Sequence, residues 1–102
     1  MSETTGRWAG GKVLELKGPL DQRTVVALRH EVDAELIEKL GEPGTVTLDF
    51  SGVTRADSAA LSLILHWMRL RRTRPATLAL KAVPEQLRAL ARTSRMEQYL
   101  DG

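Results

Sequence analysis

Between Leu48 and Leu70 the chain reads LDFSGVTRADSAALSLILHWMRL, a short apolar strand that passes through a polar turn into an apolar helix. This unit constrains the fold more than any other stretch. In an alternating α/β domain, the end of a strand followed by the start of a helix lies at the carboxyl edge of the sheet, where binding sites collect. Backbone N–H groups at a helix start are unpaired and the local field is positive. Asp57 and Ser58 stand at that point. Asp57 has the residue type that caps a helix, and a hydroxyl at Ser58 can cap, be phosphorylated or meet a partner.

The flanking sequence supplies the other elements. Arg7 to Ala9 and Lys12 to Lys17 read as two short strands joined by Gly10-Gly11, with Met1 to Thr5 frayed before them and Gly18-Pro19 ending the second. Asp21 or Gln22 opens a helix in which Val25, Leu28, Val32, Leu36 and Leu40 recur at helical spacing, and Gly41, Pro43 and Gly44 stop it. Thr45 to Phe50 forms a strand, and a second helix runs from Ser58 to about Thr73, ahead of Pro75. A strand over Ala76 to Lys81 follows. A third helix has Pro84 in its first turn, and a short last helix over Met96 to Leu100 folds back on the domain. Two opening strands followed by alternating helices and strands imply a single α/β domain over residues 1–102, with a mixed, mainly parallel sheet of about four strands and helices packed against it.

Composition narrows the function classes. With no cysteine, disulfides, thiol catalysis and cysteine-rich zinc sites are excluded. No signal peptide is expected, because the opening MSETTGRWAGGK lacks a basic run followed by an apolar region, and no membrane span, because the apolar run near Leu61 to Leu70 is interrupted by Ser62, His66 and Arg69. The 15 basic and 13 acidic residues nearly balance, so net charge is a weak argument for nucleic acid. The arginines of 69–74 and Arg88, Arg92 and Arg95 lack the aromatic neighbours of single-strand binders and read as a solvated face or a protein contact.

No nucleophile and base, metal cluster or phosphate-cradling glycine loop occurs at recognisable spacing. His30 and His66 fall on different helices and read as surface or partly packed imidazoles, and Asp49 and Asp57 have nothing that fixes their separation. Catalytic residues, cofactor and metal are therefore expected to be absent. The second helix is apolar on two stripes: Leu61, Ile64, Leu65 and Met68 bury on the sheet, while Ala60, Leu63, Trp67 and Leu70 form another. That second stripe either packs on a neighbouring helix or forms a docking surface, with Trp67 as its anchor and with weak self-association as one use of it.

Two motifs resemble the STAS domain family (sulfate transporter and anti-sigma factor antagonist). Leu16 to Asp21 is similar to the family's strand ending in G-x-L-D, and Leu48 to Leu61 is similar to its L-D-x-S-x-V-x-x-x-D-[ST] segment. The resemblance implies the STAS fold. The pattern around Asp21-Gln22 and the run Ala60 to His66 resemble, within the family, the cytoplasmic subunits of phospholipid ABC transporters. It then implies a non-enzymatic subunit, peripheral at the inner membrane, that binds the transporter ATPase in a complex with a permease and a lipid-binding MCE-type subunit. Neither nucleic acid nor direct membrane contact is implied. Asp57, Ser58 and Ala59, with Leu63, Trp67 and Leu70, are the expected contact residues. In antagonists of anti-sigma factors the matching serine is phosphorylated, so Ser58 serves as a switch in the alternative reading. Ala59-Ala60 departs from the serine or glycine pair common there.

Overall fold

The computed structural model describes residues 4–100, apart from the side chain of Tyr99. The elements run β1 (Thr5–Ala9), β2 (Val13–Leu20), α1 (Val25–Leu40), β3 (Thr45–Ala56), α2 (Ser58–Arg72), β4 (Thr77–Lys81), α3 (Glu85–Thr93) and α4 (Glu97–Leu100). They build the expected mixed sheet, in spatial order β1-β2-β3-β4. The β1–β2 hairpin is antiparallel, and β2–β3 and β3–β4 are parallel because each pair is joined through a helix.

Side chains alternate along the strands. Leu14, Leu16 and Leu20 of β2 and Val46, Leu48 and Phe50 of β3 are buried under the helices, while Glu15 and Lys17 face water. The helices thus cover one face of the sheet. On the other, Arg7, Glu15, Asp49 and Lys81 occupy one transverse row of the register. In α1 the buried residues Leu28, Val32, Leu36 and Leu40 recur every fourth position. Each such side chain contributes about 1.5–3 kcal/mol by leaving water.

Several boundaries differ from those expected. The N-terminal segment is not frayed as far as Thr5: Thr4 is buried, its hydroxyl donates to the Pro19 carbonyl, and Thr5 pairs with Lys17. Met1 to Glu3 lie outside the described residues. Gly18-Pro19 does not end β2. The strand passes through it to Leu20, because Pro19, which has no N–H to donate, falls at a register shift between the Gly18–Val53 and Leu20–Ala56 pairs. Strand β3 likewise continues past Phe50 to Ala56. It does so with two extra residues, one opposite Leu16 and one opposite Pro19, so that a stretch resembling a turn stays paired. Gly52 is required at the first bulge: a Cβ there would lie 2.8 Å from the Leu16 carbonyl oxygen. Asp49 stabilises the same bulge by accepting from the Ser51 amide at 2.9 Å. Helix α1 begins at Val25, since Asp21 instead forms a turn, accepting from the Arg23 amide at 2.9 Å. Pro84 is the N-cap of α3, with extended backbone, and lies just outside its first turn.

Candidate functional site at the start of helix α2

Strands β2 and β3 end side by side at Leu20 and Ala56, and the chain turns there into α2. The Asp57 amide donates to the Leu20 carbonyl at 3.1 Å, which fixes the turn against the end of β2. Asp57 caps the helix as expected, its Oδ1 accepting from the Ala59 amide at 2.8 Å. From the other side, Gln86 Oε1 of α3 accepts from the Ala56 amide at 3.0 Å. Two segments distant in sequence, the end of β2 and α3, therefore hold the turn that precedes Ser58.

Ser58 and Asp57 are exposed and Ala59 is half-buried. Beside them a groove of about 370 Å³ is lined by Asp21, Arg23, Arg55, Asp57 and Gln86, among others. A second of about 380 Å³ shares Ala56, Asp57 and Gln86 and continues along Ala89, Leu90 and Thr93 of α3. Asp21 Oδ2 pairs with Arg55 Nη2 at 3.0 Å across the first groove. The Arg23 amide chiefly, with Arg55, holds the Asp21 carboxyl below its usual range. The arrangement offers an exposed hydroxyl beside a charged, shallow concavity. Among the described residues no three His, Asp or Glu side chains group as a metal site. Asp49 and Asp57 are separated by eight residues of extended chain, roughly 20–25 Å, so they do not form a carboxylate pair.

The structure divides the expected contact residues. Asp57, Ser58 and Ala59 come together at the surface, but Leu63 and Trp67 are 2% and 0% exposed and cannot form the body of a docking surface. Their stripe packs inward, and Leu70 is half-buried at its edge. The reason is polar as well as apolar. Trp67 Nε1 donates to Asp33 Oδ1 at 2.8 Å and His66 Nε2 lies 2.7 Å from Asp33 Oδ2, which joins α2 to α1. Leu65 and Met68, placed by periodicity on the sheet, are only partly buried. The exposed side of α2 instead carries Ser58, Ser62, Arg69 and Arg72, with Leu65 half-buried among them. Their spacing of four, three, four and three residues was the available signal; the apolar character of Leu65 concealed it.

A family model described as "Mlab, STAS domain" matches residues 5–101. The intermembrane phospholipid transport system binding protein MlaB of Escherichia coli (strain K12) is 30% identical over 92 residues, covering 90% of this chain and 89% of that protein. The protein of the same name from Shigella flexneri matches to the same extent. Among solved structures, the anti-sigma factor antagonist SpoIIAA in its unphosphorylated form superposes with a TM-score of 0.65 at 19% identity. That match covers 97% of this chain and 87% of the other.

Proposed function

The chain belongs to the STAS domain family, and from that premise we propose that it is a non-enzymatic subunit of an ABC-type phospholipid transporter that binds the transporter's ATPase through the start of α2. The relatives named for phospholipid transport, matched over nine-tenths of the chain, support the system. The observation that carries the mode of action is Ser58, exposed on a helix terminus whose position is fixed by Leu20, Asp57 and Gln86. A hydroxyl on a fixed helix start, whose neighbouring Asp57 carboxylate is committed to capping the Ala59 amide, suits recognition rather than bond making. No helix of the described residues is long and apolar enough to cross a membrane. Contact with the inner membrane then runs through the complex, whose permease and lipid-binding MCE-type subunit complete the transporter.

The exposure of Ser58 also favours a second reading, an anti-sigma factor antagonist switched by phosphorylation at that hydroxyl. A phosphate there gains from the positive helix terminus and is opposed by the Asp57 carboxylate. Purification of the native complex from its host, with mass identification of the partners and of Ser58, separates the two. An ABC ATPase with unmodified Ser58 is the expected result. A serine kinase and a phosphorylated Ser58 would overturn the transporter reading.

A further inference from the structure

Helix α2 holds no acidic residue and ends in three arginines, Arg69, Arg71 and Arg72. One of these is committed: Arg71 Nε donates to the Ala76 carbonyl at 3.1 Å, closing the turn into β4. Arg69 and Arg72 are exposed, and no described residue hydrogen-bonds or ion-pairs with their guanidinium groups. Arg55 pairs with Asp21 and Arg92 with Glu85 at 2.7 Å, whereas Arg7, Arg23 and Arg95 are exposed without a carboxylate partner among the described residues but lie apart from α2. At 100° per residue Ser58, Ser62, Leu65, Arg69 and Arg72 fall within about 80° of arc. They form one strip about 21 Å long, starting at the proposed ATPase contact.

We infer that this strip is the body of that contact, and that it receives an acidic segment of the ATPase, with Leu65 as the apolar centre and Arg69 and Arg72 pairing with the segment's carboxylates. The inference rests on the ATPase-binding reading and adds the chemistry of the partner surface. Two observations favour an acidic protein segment. The strip is continuous with Ser58, and its free charges are guanidinium groups, which bind carboxylates in a fixed two-pronged geometry. Leu65 gives the strip an apolar centre with polar ends, the usual make-up of a protein contact.

The test measures binding of the full chain to its host's phospholipid-transporter ATPase at about 50 and 300 mM salt. Wild type is expected to lose about tenfold in affinity across that range through screening, a loss typical of exposed ion pairs at an interface. Arg69→Glu/Arg72→Glu should bind at least about tenfold more weakly at low salt and lose or reverse the salt dependence, because carboxylates facing carboxylates repel and salt screens that repulsion, and Arg69→Lys/Arg72→Lys should recover part of the affinity. The Lys pair should melt with wild type, since the two side chains reach water and keep their charge, whereas the Glu pair should melt slightly lower because carboxylates in the last turn of α2 oppose the helix dipole. Glu variants that bind the ATPase like wild type at both salts overturn the strip and leave the ATPase reading standing. Wild type that fails to bind the ATPase overturns both. Two other results also overturn the inference, provided ATPase affinity is unchanged by the Glu substitutions: loss of self-association, which assigns the arginines to the exposed Glu31, Glu35 and Glu38 on α1 of a second copy, and loss of binding to phosphatidylglycerol vesicles, which assigns them to lipid.

Discussion

Asp33 and Trp67 join the two long helices through a hydrogen bond of 2.8 Å from the indole N–H to Oδ1. The other carboxylate oxygen takes His66 at 2.7 Å, with Arg29 at 3.8 Å on the same oxygen, so both oxygens of Asp33 are occupied. Trp67 is completely buried, so its N–H has no water to turn to. The largest side chain of the core thus has a fixed depth and orientation, which in turn sets the rotation of α2 and decides which of its residues reach the surface.

Replacing Asp33 by alanine should destabilise the domain by about 1–3 kcal/mol, because it leaves a buried donor unsatisfied. Asn can still accept from the indole, so Asp33→Asn should lose clearly less. Urea unfolding of the two variants beside wild type measures the difference. Equal losses for Ala and Asn would assign the effect to charge rather than to the hydrogen bond.

Ser58→Asp is expected to weaken ATPase binding by about tenfold, the equivalent of one lost contact of 1.4 kcal/mol, while the melting temperature moves by no more than about 2 °C. The added carboxylate gains from the helix terminus and loses against Asp57, so its effect on folding is small. Titration calorimetry and thermal melting give the two numbers. Undiminished affinity would remove Ser58 from the interface.

Gly52→Ala should cost about 1–3 kcal/mol, since its methyl carbon would stand 2.8 Å from a main-chain oxygen that has no freedom to swing away. The first bulge of β3 must then shift, and β3 leads directly to Asp57. Chemical unfolding should reveal the loss, and the Ala59 amide should exchange faster with solvent as its cap loosens.

Acid should weaken the fold through three carboxylates held below their ordinary values. Asp49 is lowered first by the Ser51 amide and then by the Ser51 hydroxyl, Asp21 by the Arg23 amide and Arg55, and Glu85 by its bond to Arg92. Because each binds its proton more weakly when folded, its stabilisation is complete above the ordinary values of 3.8 for aspartate and 4.5 for glutamate. It is lost as pH falls through the folded values. Urea midpoints should therefore be flat above about pH 5 and decline below it. Asp49→Asn should show a shallower decline.

The parts of the fold legible in the sequence were those with a local cause. The α1 stripe, the Asp57 cap and the order of strands and helices follow from periodicity, a capping side chain and Gly or Pro punctuation. What stayed hidden depends on partners far along the chain. Ser51 to Arg55 has no alternating pattern and becomes strand only because β2 lies beside it with room for two bulges. Pro19 looks like a stop until Thr4 and the register shift account for it. Trp67 stood between two readings: its apolar stripe was visible, and that it packs on a neighbouring helix rather than docking a partner is decided by Asp33, 34 residues earlier. Of the candidate site, Asp57, Ser58 and Ala59 were legible from the strand-to-helix transition. Arg55, Asp21 and Gln86 were not, being assembled only by the closed sheet edge.

The bond from the Ala56 amide to Gln86 makes α3, late in the chain, a steering arm for a surface formed in its middle. A chain cut before Pro84 would retain every residue of β3 and α2, yet the amide that leads into Asp57 would lose its acceptor and Ser58 would gain play. Tolerance to truncation or fusion should therefore be uneven. Disruption of α3 would be felt by a partner that never touches it.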